Sequence, residues 1–336
     1  MKKASNTYII AELSANHNND FELAVKTIEA IADSGADAVK VQTYTADSLA
    51  IDVDNEYYKP KTEGLWRGYR LYDLYKEAAM PYEWQPKLQK VAEKLGLDFF
   101  SSPFDKEGID FLETLDVPKY KIASLEITDI PLIEYAASKE KPMIISTGIA
   151  EIEDIQLAVD TCRKVGNEDI TLLKCTSNYP ATLEDANLVT IPDLKERFGV
   201  KVVVSDHTMG HTVPVVAVSL GAKVVEKHFI LDRSLGGPDS AFSMEPSEFK
   251  HMVEEVRNAE KSFGNVTYEV SEKDKLRRRS LFAVKDIKKG DVITEENVRS
   301  VRPGYGMHPK LLPEIIGKKA LVHIQKGMPI KISFIS

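Results

Sequence analysis

Short apolar runs that close on polar residues recur along the chain as far as Phe229. They are YIIAEL ending near Leu13, AVKVQTY at Tyr44, DFFSSP at Pro103, YKIAS at Ser124, PMIIST at Thr147, ITLLKCT at Thr176, KVVVSDH at His207 and AKVVEKHF at Phe229. Their brevity, β-branched content and bounding turn residues predict eight strands. Continuous apolar runs of this kind suit parallel strands buried on both faces. Helical spacing fills the intervals. Phe21, Ala24, Val25, Ile28, Ile31 and Ala32 repeat at three and four before Gly35, as do Trp84, Leu88, Val91, Ala92 and Leu95 before Gly96. Ile152, Ile155, Val159 and Cys162 precede Gly166, Asp105 can cap a helix through Ile109, Leu112 and Leu115, and Pro131 and Pro246 suit first helical turns. A short apolar helix from Thr212 to Leu220 separates the last two strands. The alternation predicts a TIM (β/α)8 barrel over residues 1–265; a doubly wound sheet is the other arrangement it permits.

Two stretches depart from this rhythm. Residues 45–81 form an insertion after the second strand, rich in Tyr, Asp and Lys and containing LWRGYRLYDLY. At the C-terminal side of a barrel strand it would lie over the mouth, as a packed wall of Trp66, Tyr69, Leu71, Leu74 and Tyr75, as a substrate surface, or as both. Residues 266–279, including TYEVSEKDKLRRR, read as a polar linker. Residues 280–336 then carry short apolar runs and an internal echo, IKKGDVI and IQKGMPI, whose Lys-Gly turns predict hairpins in a small, mainly β domain.

Composition narrows the functional classes. The 336 residues are 43% hydrophobic and 29% charged with a formal net charge of -8, ordinary for a soluble protein and contrary to a general nucleic-acid binder, so no nucleic-acid partner is expected. Two cysteines, Cys162 and Cys175, make no disulfide framework and no CxxC motif, which favours a reducing, cytoplasmic setting. The opening MKKASNTYIIAEL is broken by Glu12, so neither a signal peptide nor a membrane partner is expected. No GxGxxG or P-loop motif is present, which sets aside nicotinamide and ATP chemistry.

In a closed barrel the C-terminal strand ends converge, so the polar residues there can share one ligand. Glu12, Asn16 and His17 follow the first strand, and Lys40 and Gln42 lie on the second. Lys121, Ser124 and Glu126 lie at the fourth, and Ser146 ends the fifth. Thr176, Ser177 and Asn178 end the sixth, while Ser205, His207 and His228 belong to the last two. His207 and His228 are one βα unit apart. They could ligate Mn²⁺, Zn²⁺ or Fe²⁺, or divide between a local hydrogen bond and acid-base work. His17 and His211 are further candidates. Lys40 and Lys121 interrupt apolar surroundings, where an ammonium needs a partner. They could neutralise phosphate and carboxylate oxygens, pair with Glu12 or Glu126, or form a Schiff base.

The segments IIAELSANHNND, VKVQTYTAD, FFSSPFD, YKIASLEITDIPLI, ISTGIA, LLKCTSNYP, VVVSDHTMG, VVEKHFILDRSLGGPDSAFSMEP and SVRPGYGMHP, in this order and over nearly the whole chain, resemble the sialic acid synthase family of bacterial nonulosonate enzymes. The last section resembles that family's antifreeze-like, or SAF, domain. The resemblance implies condensation of phosphoenolpyruvate with an open-chain acylated amino sugar, assisted by a divalent metal such as Mn²⁺. It implies His207 and His228 as metal ligands, and Lys40, Lys121, Ser124, Ser146, Asn178 and Ser205 as the phosphoenolpyruvate site. Glu12, Glu126 and Lys121 would be the catalytic groups, with Asn16, Gln42, Tyr179 and Asp239 touching the sugar. Arg302 would reach the barrel mouth of a partner subunit in a domain-swapped homodimer. ELSANHNND departs from the EIGxNHxG form common in sialate and legionaminate synthases, with Asn19 where glycine is frequent. That departure points to the branch whose acceptor is 2,4-diacetamido-2,4,6-trideoxy-L-altrose. Legionaminate or N-acetylneuraminate synthesis, and more remotely a metal-dependent phosphatase or sugar isomerase, are the alternatives.

Overall fold

The computed structural model describes residues 7–176 and 181–336. The eight apolar runs become β1 (Tyr8–Glu12), β2 (Ala38–Thr43), β3 (Asp98–Pro103), β4 (Tyr120–Ile122), β5 (Met143–Ser146), β6 (Ile170–Cys175), β7 (Lys201–Asp206) and β8 (Val224–His228). They pair in parallel and in sequence order, and β1 pairs with β8 from Tyr8↔Val224 to Glu12↔His228. That last pairing closes the barrel and removes the doubly wound alternative. Helices cover its outside, and one apolar core runs from Ile9 and Ile28 round to Val225 and Phe249.

Local chemistry agrees with the expected helix starts. Asp20 accepts from Leu23 N at the head of Phe21–Asp33, Asp105 accepts from Gly108 N at 2.6 Å at the head of Lys106–Thr114, and Pro246 opens Pro246–Ser262. A helix that sequence patterning overlooked, Thr190–Phe198, lies between β6 and β7. Its buried Ile191, Leu194 and Phe198 have helical spacing, and Gly199 ends it in the left-handed conformation (φ 66°), so the signal was present in the chain. Within the insertion, Ala46–Leu49 and Leu71–Ala78 are helical.

The chain divides into two compact units, Met1–Phe263 and Gly264–Ser336. The second has its own core of Leu281, Ala283, Ile287, Ile293, Val298, Ile315, Ala320, Ile324 and Ile330 around the antiparallel pair β9 (Ser280–Ala283) and β10 (Val298–Val301). Both Lys-Gly echoes turn the chain, Asp291 N donating to Lys288 O at 3.0 Å and Met328 N to Gln325 O at 3.1 Å. The segments meet at their first residues, Ile287 N donating to Ile324 O at 2.9 Å and Ile324 N to Ile287 O at 2.8 Å, while Gly327 N and Ile330 N of the second bond to Ala283 O and Leu281 O of β9, each at 2.8 Å. In the RPGYG turn a Cβ on Gly306 would meet the Leu281 carbonyl oxygen at 2.3 Å, so this close backbone approach requires glycine. Arg302 is exposed beside that turn.

Candidate active site

Strand alternation selects what enters the barrel. Glu12 ends β1, Lys40 and Gln42 share one face of β2, Ser205 precedes His207 by two, and Glu226 precedes His228 by two. All of them line one cavity of about 270 Å³ at the C-terminal strand ends, together with Lys121, Ser124, Glu126 and Asp239. A cavity of this size suits one or two small polar molecules.

Its floor is a buried charge network. Lys40 Nζ contacts Glu12 and lies 3.7 Å from Glu226 Oε2, while Lys121 Nζ lies 3.6 Å from Glu226 Oε1. Ser205 Oγ donates to Glu226 at 3.0 Å. Burial works against charge on Glu226, but Lys121 and Lys40 outweigh it and hold this carboxyl below the usual range. Burial likewise works against the Lys121 ammonium, and Glu226, Cys175, Glu12 and Glu126 together outweigh it, keeping the lysine charged above its ordinary value. A Schiff base needs a neutral amine, so this setting favours anion binding. Glu12 differs from Glu226: burial, aided by Glu226, pushes it up to about 7 against the opposing pull of Lys40. Glu126 is also pushed up to about 7 by burial, with Lys121 opposing, and its Oε2 is buried without a hydrogen-bond partner.

The two histidines stand beside this floor, ring centroids 5.1 Å apart. His207 Nδ1 is 2.6 Å from the Thr176 carbonyl oxygen, which orients the ring. His228 Nδ1 is buried without a hydrogen-bond partner, 3.9 Å from Asp239 Oδ2. Among the described residues no group of three or more His, Cys, Asp or Glu side chains is arranged to hold a metal ion. His207 and His228 are the imidazoles that could hold a cation, and the unpartnered His228 Nδ1 is the observation that fits one.

The sugar-side candidates divide. Asp239 bonds Ser14 Oγ, which accepts from Gln42 Nε2 at 3.1 Å, so Gln42, Ser14 and Asp239 form one chain at the mouth. Asn16 is outside the cavity lining; its amide donates at 2.8 Å to the Phe229 carbonyl and at 2.8 Å to Ser243 Oγ, tying two loops. Ser146 is also behind the lining, 2.8 Å from Ser124 Oγ. His17 is fully buried against Trp84, and burial lowers it to about 4, a neutral loop support. Asn178 and Tyr179 lie outside the described residues, and Arg302 belongs to the second unit.

The roof comes from the insertion. Leu49, Lys61, Trp66, Leu74, Tyr75 and Ala78 line the cavity from this one segment. Trp66 Nε1 donates at 3.0 Å to the Pro238 carbonyl oxygen, beside Asp239, and Lys61 Nζ lies 4.7 Å above the Trp66 ring. The insertion is thus both a packed wall and part of the lining.

Sequence reading missed Glu226 and Ser102 as members of the site. Ser102 Oγ is buried, unpartnered and in the lining, and its backbone register with Gln42 places it there. Two-residue alternation back from His228 would have found Glu226. Cys175, also in the lining, interacts with His207; burial works against its thiolate, yet His207 holds the thiol down at about 6.

A closed parallel barrel with carboxyls, ammoniums and imidazoles gathered at its C-terminal strand ends defines the TIM-barrel enzyme class. Comparison with known proteins makes the assignment narrower. The chain belongs to the NeuB family, whose model matches residues 27–268, and a SAF domain matches residues 278–336. It is 48% identical to a pseudaminic acid synthase of Campylobacter jejuni, covering 96% of this chain and 95% of that protein. An N,N'-diacetyllegionaminic acid synthase of Legionella pneumophila is 39% identical, covering 95% and 92%. A crystal structure of the N-acetylneuraminic acid synthetase of Leptospira borgpetersenii superposes with a TM-score of 0.71 at 32% identity, covering 80% of this chain and 89% of that one.

Proposed function

We propose that this chain is a synthase that joins phosphoenolpyruvate, 2,4-diacetamido-2,4,6-trideoxy-L-altrose and water into pseudaminate and phosphate. The observation that carries the reading is the near-full-length likeness to a pseudaminic acid synthase, greater than that to a legionaminic acid synthase. In this reaction C3 of phosphoenolpyruvate bonds to the aldehyde carbon of the open-chain sugar, water adds at C2, and phosphate leaves by C–O cleavage.

Lys40 and Lys121 provide cationic charge for the carboxylate and phosphate, with Ser102, Ser124 and Ser205 within the same lining and Ser146 and Asn178 retained from the family resemblance. Glu12 and Glu126, both near 7, are suited to exchange protons at neutral pH, one with the attacking water and one with the developing sugar hydroxyl. Gln42 and Asp239 face the sugar, and Asn16 and Tyr179 are retained for that side from the resemblance. His207 and His228 would hold a divalent cation, Mn²⁺ first among candidates. When bound, it supplies electrophilic polarisation of the aldehyde oxygen. Arg302 from a second copy, in a domain-swapped homodimer, completes the acceptor site.

The test is phosphate release by chelator-treated protein. Release should need phosphoenolpyruvate, the acceptor sugar and restored Mn²⁺ together. Release without sugar would identify a phosphatase, and turnover of the sugar without phosphoenolpyruvate would identify an isomerase; either would overturn the proposal. Full activity after exhaustive chelation would remove the metal from it.

A further inference from the structure

Directly behind the two histidines, on the outer face of the barrel wall, is a second buried ion pair that touches no part of the cavity. Asp206 and Lys227 are opposite one another in the β7–β8 register, and Lys227 Nζ lies 2.7 Å from Asp206 Oδ2 with both side chains fully inaccessible to solvent. Each immediately precedes a site histidine in the chain. Alternation turns Asp206 and Lys227 outward where His207 and His228 turn inward.

The pair also closes a loop. Lys227 Nζ donates to the Thr208 carbonyl oxygen and, at 3.5 Å, to that of Gly210, while Asp206 accepts from Thr208 N at 2.9 Å and Thr208 Oγ1 at 3.1 Å. One ammonium thus spans β8, the end of β7 and the turn leading to helix Thr212–Ser219, and His207 lies inside that ring of bonds. Desolvating two charges seldom yields net stability over apolar packing, so a fully buried pair is poorly explained by stability alone. The adjacent β7–β8 hydrogen bonds and apolar neighbours already join the strands.

We propose that the Asp206–Lys227 pair is a positioning device that sets the separation and orientation of His207 and His228. The two residues act through the imidazoles and never touch substrate. This inference rests on the proposed use of the histidines, but its geometric part does not require a bound metal.

The test uses the full chain carrying D206N/K227M. The introduced amide keeps an acceptor for the Thr208 N–H, the introduced thioether keeps the apolar stem, and the cross-strand bond is cut without leaving a charge unpaired. K227M alone strands the Asp206 carboxylate and should lower the thermal midpoint more than the double substitution. The double variant should retain cooperative unfolding with a midpoint between those of K227M and wild type, because the Thr208 and Gly210 carbonyls still lose their donor. Its Mn²⁺ affinity, read by electron paramagnetic resonance, should fall by about 10- to 100-fold, the range seen when groups behind metal ligands are altered. kcat should fall at saturating Mn²⁺ while KM for phosphoenolpyruvate changes little. In metal-free protein, ¹⁵N imidazole shifts of His207 and His228 should move between wild type and variant. Unchanged imidazole shifts in the folded double variant would overturn the inference, whatever the metal requirement proves to be. If the shifts move but neither protein binds Mn²⁺, positioning stands and the proposed use of the histidines fails.

Discussion

Glu226 bridges Lys40 and Lys121, with one carboxylate oxygen 3.7 Å from the first ammonium and the other 3.6 Å from the second. This carboxylate holds two cations in one buried site before any anionic substrate arrives. In E226Q both ammoniums face fewer negative charges. The thermal midpoint should fall, and kcat should fall by about 10-fold or more as the ammoniums lose their fixed partner, while phosphoenolpyruvate binds more tightly. Adding phosphoenolpyruvate should raise the variant's midpoint more than the wild type's, since the ligand's charge replaces part of what was removed. Equal ligand-induced shifts in calorimetry would contradict this role.

Glu126 gives a pH signature with a definite sign. Burial raises its folded value from 4.5 to about 7. Below 4.5 both folded and unfolded chains hold the proton. Between 4.5 and 7 the unfolded chain releases it while the folded chain keeps it, so stability drains away as pH rises through this window, and above 7 the loss is constant. E126Q removes that contribution. Its thermal midpoint relative to wild type should therefore be higher at about pH 8 than at about pH 4.5, by a few degrees. The kcat/KM profile should also lose an inflection close to neutrality. A midpoint difference independent of pH would show that Glu126 does not titrate in this window.

Trp66 couples the insertion to the site through its bond to the Pro238 carbonyl, one residue before Asp239. W66A removes both roof and latch, whereas W66F keeps an aromatic ring and loses only the indole donor. W66A should raise KM for the acceptor sugar by about 10-fold or more and leave KM for phosphoenolpyruvate within about twofold, because an apolar sugar contact of this size is worth one to a few kcal/mol. W66F should fall between wild type and W66A. Equal increases in both Michaelis constants would assign Trp66 to general support of the fold.

Arg302 can be tested by mixing. R302A should lower kcat/KM for the sugar by about 10-fold or more, as expected for loss of a charged hydrogen-bond donor. A co-refolded mixture of R302A and E12Q should regain activity if Arg302 serves the partner's barrel, because a mixed dimer then contains one site with both residues. An arginine serving its own barrel gives no regain. Sedimentation of the mixture checks that dimers are present.

The barrel was legible because burial on both faces leaves each strand as an apolar run, and because glycines mark where helices end. Helix Thr190–Phe198 escaped notice although its three buried residues carry the period. In the sequence it follows SNYPATLEDANLV, a mostly polar stretch that carries no such period. In the second unit the Lys-Gly echoes named the turns but not their partners, because such a turn specifies a reversal locally and does not name the strand it will meet. In the site, Lys40 and Lys121 stood out as charges within apolar runs, whereas Glu226 was overshadowed by the more conspicuous His228 two positions on. The orphaned His228 nitrogen, the elevated Glu12 and Glu126, and the bond from Trp66 to Pro238 depend on distances across the barrel, which linear spacing does not encode.

The most direct measurement is product formation, resolved by mass spectrometry and NMR, from phosphoenolpyruvate and Mn²⁺ with three acceptors offered separately: 2,4-diacetamido-2,4,6-trideoxy-L-altrose, the corresponding 6-deoxy diacetamido mannose-type sugar, and N-acetylmannosamine. Pseudaminate from the first, with stoichiometric phosphate and little product from the others, is the expected result. A preference for either of the other acceptors would contradict the substrate assignment while keeping the condensation chemistry, and no product from any of the three by folded, Mn²⁺-supplied protein would contradict the synthase reading itself.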